Sequence, residues 1–372
     1  MKRNDEQNNI DIFNILRAIA VLCVFIMHAV ITIKTVANSA VIPWFLYTPA
    51  WGAMWIFYFL SGYLIGKGFY KGKYKTDIKG IKNFYISRLI RIVPPYLFFL
   101  LICFIFINPQ WFINNTKILF HLLTFTYNGS MGIVGIGATW FISTIIQLYL
   151  LAPLGYRFII SKIKNVKFAF FVILSLGVII RFIEYDLHLS PFLVTITSPI
   201  SNLDLFFGGM LLNAIIMEST NNTNKQFLKI FSWILLSFTI LASIILVFKG
   251  GVYFGMYTYA LPSLYLLSML FLVYSYDTKD KTQNMALSIK SIISNPLRIL
   301  EFLGIISFEF YLYHSNILDI FARLISQENN NAYIFKTILF SFIITCVFSY
   351  IIYIIIEKPA NKYRSFIREK ND

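Results

Sequence analysis

The stretch RAIAVLCVFIMHA, Arg17 to Ala29, places an arginine and a histidine eleven residues apart inside a run otherwise apolar enough to cross a bilayer. Eleven helical steps of 100° come to about 20° past three full turns with a rise of roughly 16 Å, so both side chains face one way. In hydrocarbon an ionisable group at mid-helix costs on the order of 3 kcal/mol even on lenient insertion scales, and such groups face a protein interior or a water-filled cavity. The pair therefore points into the molecule. Two readings fit it: an anion-binding arginine at one mouth of a long ligand path with a titratable group further along, or a snorkelling arginine near a helix end and a hydrogen-bonded structural histidine.

The rest of the chain has the same character. Of 372 residues, 58% are hydrophobic and 13% charged, with a mean hydropathy of +0.70, whereas soluble domains carry about a quarter charged residues. An all-α, polytopic membrane helix bundle is expected. Apolar runs of about 20 residues fall at 12–34, 49–66, 92–107, 138–160, 168–183, 192–216, 230–249, 255–276, 298–321 and 334–356, about ten spans, with 118–126 as an interfacial or re-entrant piece. With an even number of spans and both termini inside, 25 of the 32 Lys and Arg lie on the cytoplasmic side; the opposite segments hold six, Lys34, Lys117, Arg181, Lys249, Arg323 and Lys336. That asymmetry sets the termini in the cytoplasm. Residues 1–11 are expected to be a cytoplasmic leader, 12–357 the transmembrane domain and 358–372 a basic cytoplasmic tail. The net charge of +15 records orientation, and no nucleic-acid partner is implied. Cys23, Cys103 and Cys346 lie in apolar runs without metal-ligand spacing and read as small buried hydrophobes. Neither a phosphate-binding G-x-x-x-x-G-K-[ST] nor a G-x-S-x-G elbow occurs, and no internal repeat of the kind that marks secondary transporters is visible.

Polar residues inside the spans gather in a few places. Arg17 should lie about 7 Å deep from the cytoplasmic side and His28 about 24 Å. The segment GKGFYKGKYKTDIKGIKNFYISRLIRIVPPY carries eight cations and ends in Arg88 and Arg91, neighbours at i and i+3 if helical, with Pro94 and Pro95 opening the third span. Its lysines read as positive-inside charge. The two arginines read equally as that or as a phosphate site, because each guanidinium offers a planar fork of donors. In TWFISTIIQLYLLAP, Trp140, Ser143, Thr144 and Gln147 form a polar stripe that either lines a cavity or bonds between helices. Glu309 and His314, five residues apart, are about 140° apart around their helix and should not touch each other. His314 reaches about the depth of His28, which makes the two histidines candidate partners. Asp204 is a further intramembrane acid.

Taken together, these segments resemble the acyltransferase 3 family of integral membrane acyltransferases. The resemblance rests on the R-x10-H of RAIAVLCVFIMH, on FYFLSGYLI, RLIRIVPPY, WFIST with its following Gln and Pro, FFGGMLL and SFEFYLYH, and on the Glu and Pro of IIEKPANKY. It implies transfer of an acyl group, commonly acetyl from acetyl-CoA, to a hydroxyl of a sugar or other acceptor, with His28 catalytic and Arg17, Arg88 and Arg91 serving the acyl-CoA. Trp140, Ser143, Gln147 and His314 would line the acceptor side, with Glu309 in support. No metal or resident cofactor is expected; acyl-CoA is a co-substrate, and the partners are that donor, a cell-surface glycan or its lipid-linked precursor, and membrane lipid. The location is the plasma membrane, and the leaning to Ile, Asn, Lys and Phe is that of an A/T-rich bacterial genome. Many members carry Asp where this chain has Asn14, and Glu where it has Ile145 and Ile146. The carboxylate that would orient His28 is therefore unassigned. A secondary transporter, or a non-catalytic export partner, would share the intramembrane Arg, His and Glu without requiring the three-turn alignment.

Overall fold

Asp11 opens the first helix in the way an N-cap should: its side chain accepts from the Phe13 amide at 2.9 Å, and α1 then runs over Ile12–Val36. In the computed structural model the described residues are 11–37, 40–107, 109–129, 136–158, 160–186, 197–218, 225–250, 261–276, 297–325 and 330–371. The further helices are α2 (Ala50–Tyr70), α3 (Ile78–Ile102), α4 (Pro109–Asn114), α5 (Thr116–Leu123), α6 (Trp140–Phe158), α7 (Val166–Asp186), α8 (Leu203–Glu218), α9 (Lys225–Gly250), α10 (Leu261–Tyr276), α11 (Leu297–Ile305), α12 (Ser307–Leu324), α13 (Asn330–Ile352) and α14 (Lys358–Asn371). No strand occurs among the described residues.

Among the described residues, five helical runs are long and apolar enough to cross a membrane: Ile12–Val36, Ile78–Phe106, Gly137–Lys162, Lys229–Lys249 and Asn331–Arg364. Two shorter apolar helices, Ile200–Ile216 and Leu261–Ser275, represent the expected spans at 192–216 and 255–276, of which 192–196 and 255–260 lie outside the described residues. The other three expected spans, 49–66, 168–183 and 298–321, are helical as α2, α7 and the α11–α12 pair. The chain is an integral multi-pass membrane protein.

Helix α1 is central, packed against α2, α11 and α12. The tightest pairing joins α2 to α8, where both backbones are bare: a Cβ on Gly62 would meet the Phe206 carbonyl oxygen at 1.9 Å, and one on Gly209 the Phe59 carbonyl oxygen at 2.3 Å. Without a hydrophobic drive between helices in lipid, such glycine contacts let dispersion hold the pair.

Several expectations need correction. Pro94 and Pro95 do not open the third span; α3 begins at Ile78, capped by Asp77, whose carboxylate accepts the Gly80 amide at 2.9 Å, and the prolines lie in its interior. A run of cations there concealed a helix, since positive-inside charge marks a side of the membrane and not a loop. Each proline removes an amide that would bond four residues back, which leaves the Ile90 and Arg91 carbonyls without their usual donors. The span at 298–321 is two helices broken at Ile306. Arg181, expected as an outer-side cation, and Arg298 are both buried in ion pairs, with Asp204 and Glu301. Finally, α13 passes through a π-helical turn, Tyr353–Glu357, directly into α14, so the basic tail is helical over Lys358–Asn371 and packs on α3.

Candidate active site

The face of α1 that carries Arg17 and His28 meets α12. His28 Nδ1 lies 2.7 Å from His314 Nε2, and His314 Nδ1 lies 2.6 Å from the Tyr311 carbonyl oxygen. A carbonyl can only accept, so His314 carries its proton on Nδ1, and the Nε2 of the neutral ring is an acceptor. His28 must then donate through Nδ1, which leaves its Nε2 with a free lone pair. Burial agrees with this order: His314 is fully buried, whereas His28 is only partly buried and keeps accessible surface. Phe25, Phe310 and Phe342 pack behind the pair, with the Phe310 and His314 rings nearly parallel.

Toward the N-terminal end of the same α1 face, the Arg17 Nη1 donates to Asn14 Oδ1 at 3.2 Å, and Asn14 Nδ2 donates to Asp11 Oδ2 at 3.0 Å. The amide at position 14 thus links the arginine to a carboxylate one turn further out. Arg17 also faces Arg91, Tyr149 and Glu357. Arg88 donates to the Tyr74 hydroxyl and lies over the rings of Tyr74, Phe84 and Tyr149, with centroid distances of 5.3, 5.4 and 5.7 Å, an aromatic cage that fixes its fork. From α14, Arg364 is brought beside Arg91, Arg88, Tyr74 and Glu357. Burial alone would push the Tyr74 phenol up, but the Arg88, Lys73 and Arg364 cations together hold it below its usual value. The mouth is strongly positive.

The remaining expected residues are more dispersed. Trp140 is buried, its ring 5.5 Å from that of Trp51, and a line of rings, Trp140, Phe141, Tyr311 and His314, connects it to the histidines. Ser143 is buried with its hydroxyl unpartnered. Thr144 donates to the Thr197 carbonyl at 2.6 Å. Gln147 donates to the Phe125 carbonyl at 2.8 Å and so holds a turn in which Phe125 adopts φ 55°, a left-handed conformation uncommon for a non-glycine residue. Glu309, fully buried, faces Glu357 and Arg91, and neither of its oxygens has a donor. Asp204 belongs elsewhere: Arg181 grips it bidentately at 2.9 and 2.8 Å.

Sequence reasoning missed Asp11, Tyr74, Tyr149, Glu357 and Arg364 at the mouth, and Tyr311 behind the histidines. The Glu-Pro of IIEKPANKY was the available signal for Glu357. Tyr311 acts through its backbone carbonyl, which no residue pattern reveals.

With this geometry in place, the comparison with known families gives the class. The chain matches the acyltransferase 3 family, an acyltransferase domain, over residues 10–357. It belongs to that family and is a membrane acyltransferase. No curated protein and no solved structure matches it.

Proposed function

We propose that this protein is an acyl-CoA-dependent O-acyltransferase that moves an acyl group, acetyl first among candidates, from cytoplasmic donor to a hydroxyl of a cell-surface glycan or its lipid-linked precursor. The observation that carries the reading is the directed chain from the Tyr311 carbonyl through His314 to a partly buried His28, which leaves the His28 Nε2 lone pair unspent on the helix that also bears Arg17. The donor's phosphates sit on Arg17, Arg88 and Arg91, and its pantetheine arm spans the roughly 16 Å of α1 between Arg17 and His28. His28 Nε2 takes the acceptor hydroxyl proton as that oxygen bonds to the thioester carbon. The tetrahedral adduct then collapses, the C–S bond breaks, and the imidazolium returns the proton to the departing sulfur. His314 disperses the imidazolium charge through its hydrogen bond and keeps His28 in the reactive tautomer. Trp140 and Ser143 lie on the acceptor side.

In this reading residues 12–357 form the acyltransferase unit in the plasma membrane, with both termini cytoplasmic. Thiol release from acetyl-CoA by purified protein with a panel of glycan acceptors tests the activity. His28→Ala should lower it by at least the ~10²- to 10⁴-fold typical of a general base while the protein stays folded. Retention of activity by a folded His28→Ala protein would move the base elsewhere. Labelling of single-cysteine variants in intact cells tests the orientation: positions in 67–82 should be inaccessible from outside and positions in 109–116 accessible, and the reverse pattern would overturn cytoplasmic loading.

A further inference from the structure

Arg364 lies beyond residues 10–357, the stretch that matches the family, yet the fold brings it into the arginine mouth. It does so because α13, the π-helical turn Tyr353–Glu357 and α14 form one helical run that packs against α3. Gathering cations without matching acids is costly. Among the described residues, no nitrogen of Arg17, Arg91 or Arg364 comes within salt-bridge distance of a carboxylate; the ion pairs there are Arg181–Asp204, Arg298–Glu301 and Arg323–Asp319. The nearest acids, Glu309 and Glu357, lie near these arginines and face one another without closing an ion pair to any of them, and Glu357 accepts from the Asn361 amide at 3.2 Å. Such a cluster, with planar forks left unspent, suits a multiply charged anion.

The arginines also have an order. Arg88 precedes Arg91 by about one turn of α3 and so lies nearer that helix's start at Ile78, the last helix packs on α3, and Arg91 is a neighbour both of Arg17 and of Arg364, which also neighbours Arg88 and Tyr74. Arg91 is therefore the middle of the series, Arg17 its inner end nearest His28, and the Arg88–Arg364–Tyr74 group its outer end. A ligand reaching inward to His28 meets them in that sequence. In an acyl-CoA the 5′-diphosphate lies between the pantetheine arm and the nucleoside, and the 3′-phosphate lies on the ribose, farthest from the thioester.

We propose that Arg364, together with the caged Arg88, binds the 3′-phosphate of the donor, while Arg91 and Arg17 hold its diphosphate. This rests on the acyl-CoA reading above and makes Arg364 the residue by which this chain distinguishes CoA from donors that carry pantetheine without a 3′-phosphate.

The test titrates CoA and dephospho-CoA, which lacks only that phosphate, into purified full-length protein. A charge-assisted contact contributes about 1.5 to 3 kcal/mol, roughly 10- to 150-fold in affinity. The wild-type protein should therefore prefer CoA by a factor in that range. Arg364→Gln should remove most of the preference and leave dephospho-CoA affinity within about twofold. Arg364→Lys, which keeps the charge and the helix but loses the fork, should fall between. The proposal is overturned if the CoA to dephospho-CoA ratio is the same in wild type and both variants, or if the variants lose both ligands in parallel. If wild-type protein binds neither CoA nor dephospho-CoA, the donor reading itself fails; if it binds both with a ratio near one, only the assignment of Arg364 does.

Discussion

Two sets of arginines lie inside this protein, and they are treated in opposite ways. Arg181, on α7, is spent: its fork donates to both oxygens of Asp204 and to the Ser201 carbonyl at 2.8 Å. Gly177 makes room for that carboxylate, since a Cβ there would meet Asp204 Oδ2 at 2.2 Å. Arg17, Arg91 and Arg364 are drawn together without an ion pair among them, while the nearby glutamates face each other. An intramembrane charge is a functional candidate by default, and this contrast refines the rule. On the reading proposed above, what separates structural from functional charge is whether the protein supplies a closed ion pair.

The sharpest way to break that contrast is to remove the partner where one exists. Asp204→Ala leaves the Arg181 guanidinium buried and unpaired, and breaking a buried pair in this way costs about 3 to 5 kcal/mol. Thermal unfolding in detergent should show a large drop in Tm, and CoA affinity per folded molecule should be unchanged. Loss of CoA affinity in stably folded Asp204→Ala protein would mean that the two arginine sites are one system.

At the other site the effect should be smaller and of the opposite kind. Arg91→Lys keeps the charge but offers a point donor on a flexible stem in place of a fork. Losing the charge-assisted geometry is expected to cost about 1.5 to 3 kcal/mol in donor binding, roughly 10- to 150-fold, with Tm unaffected. Arg91 is a cleaner choice than Arg88, because a lysine at 88 would also forfeit stacking on Tyr74, Phe84 and Tyr149. Unchanged CoA affinity in Arg91→Lys would return this arginine to the role of positive-inside charge.

The legible part of this molecule is what one helix can state about itself. The 100° step puts Arg17 and His28 on one face, and depth along a helix brings His28 and His314 to one level; the structure has both. Azimuth between helices is not written in any one segment. Arg181 looked like an outer-side cation because nothing near it in sequence shows Asp204 twenty-three residues on as its counterion. Arg364 looked like tail charge because the continuity of α13 into α14 depends on a π-helical turn and on packing against α3. Glu309 was given no partner, and the acid it faces, Glu357, lies 48 residues away on that same long helix. The double proline misled for a different reason: in a bundle, neighbouring helices can absorb freed carbonyls that would end an isolated helix.

The smallest effect tests the finest distinction, which of the two histidines is the base. If His28 Nε2 takes the proton, His314 contributes one neutral hydrogen bond that fixes the tautomer of His28 and shares the charge of its protonated form. Removing such a bond costs about 0.5 to 1.5 kcal/mol, so His314→Ala should lower kcat by roughly 2- to 13-fold and leave the donor KM alone. His314→Gln, whose amide oxygen can accept from His28 Nδ1 where the imidazole did, should recover part of that loss. The same pair of variants separates this arrangement from its mirror. Were His314 the base, with His28 merely orienting it, His314→Ala would be as damaging as His28→Ala and glutamine would rescue nothing. The enclosure of His314 by Phe310, Tyr311 and His28, with no surface of its own exposed, is the reason to expect the mild outcome: a base must meet its acceptor, and of the two residues only His28 keeps accessible surface.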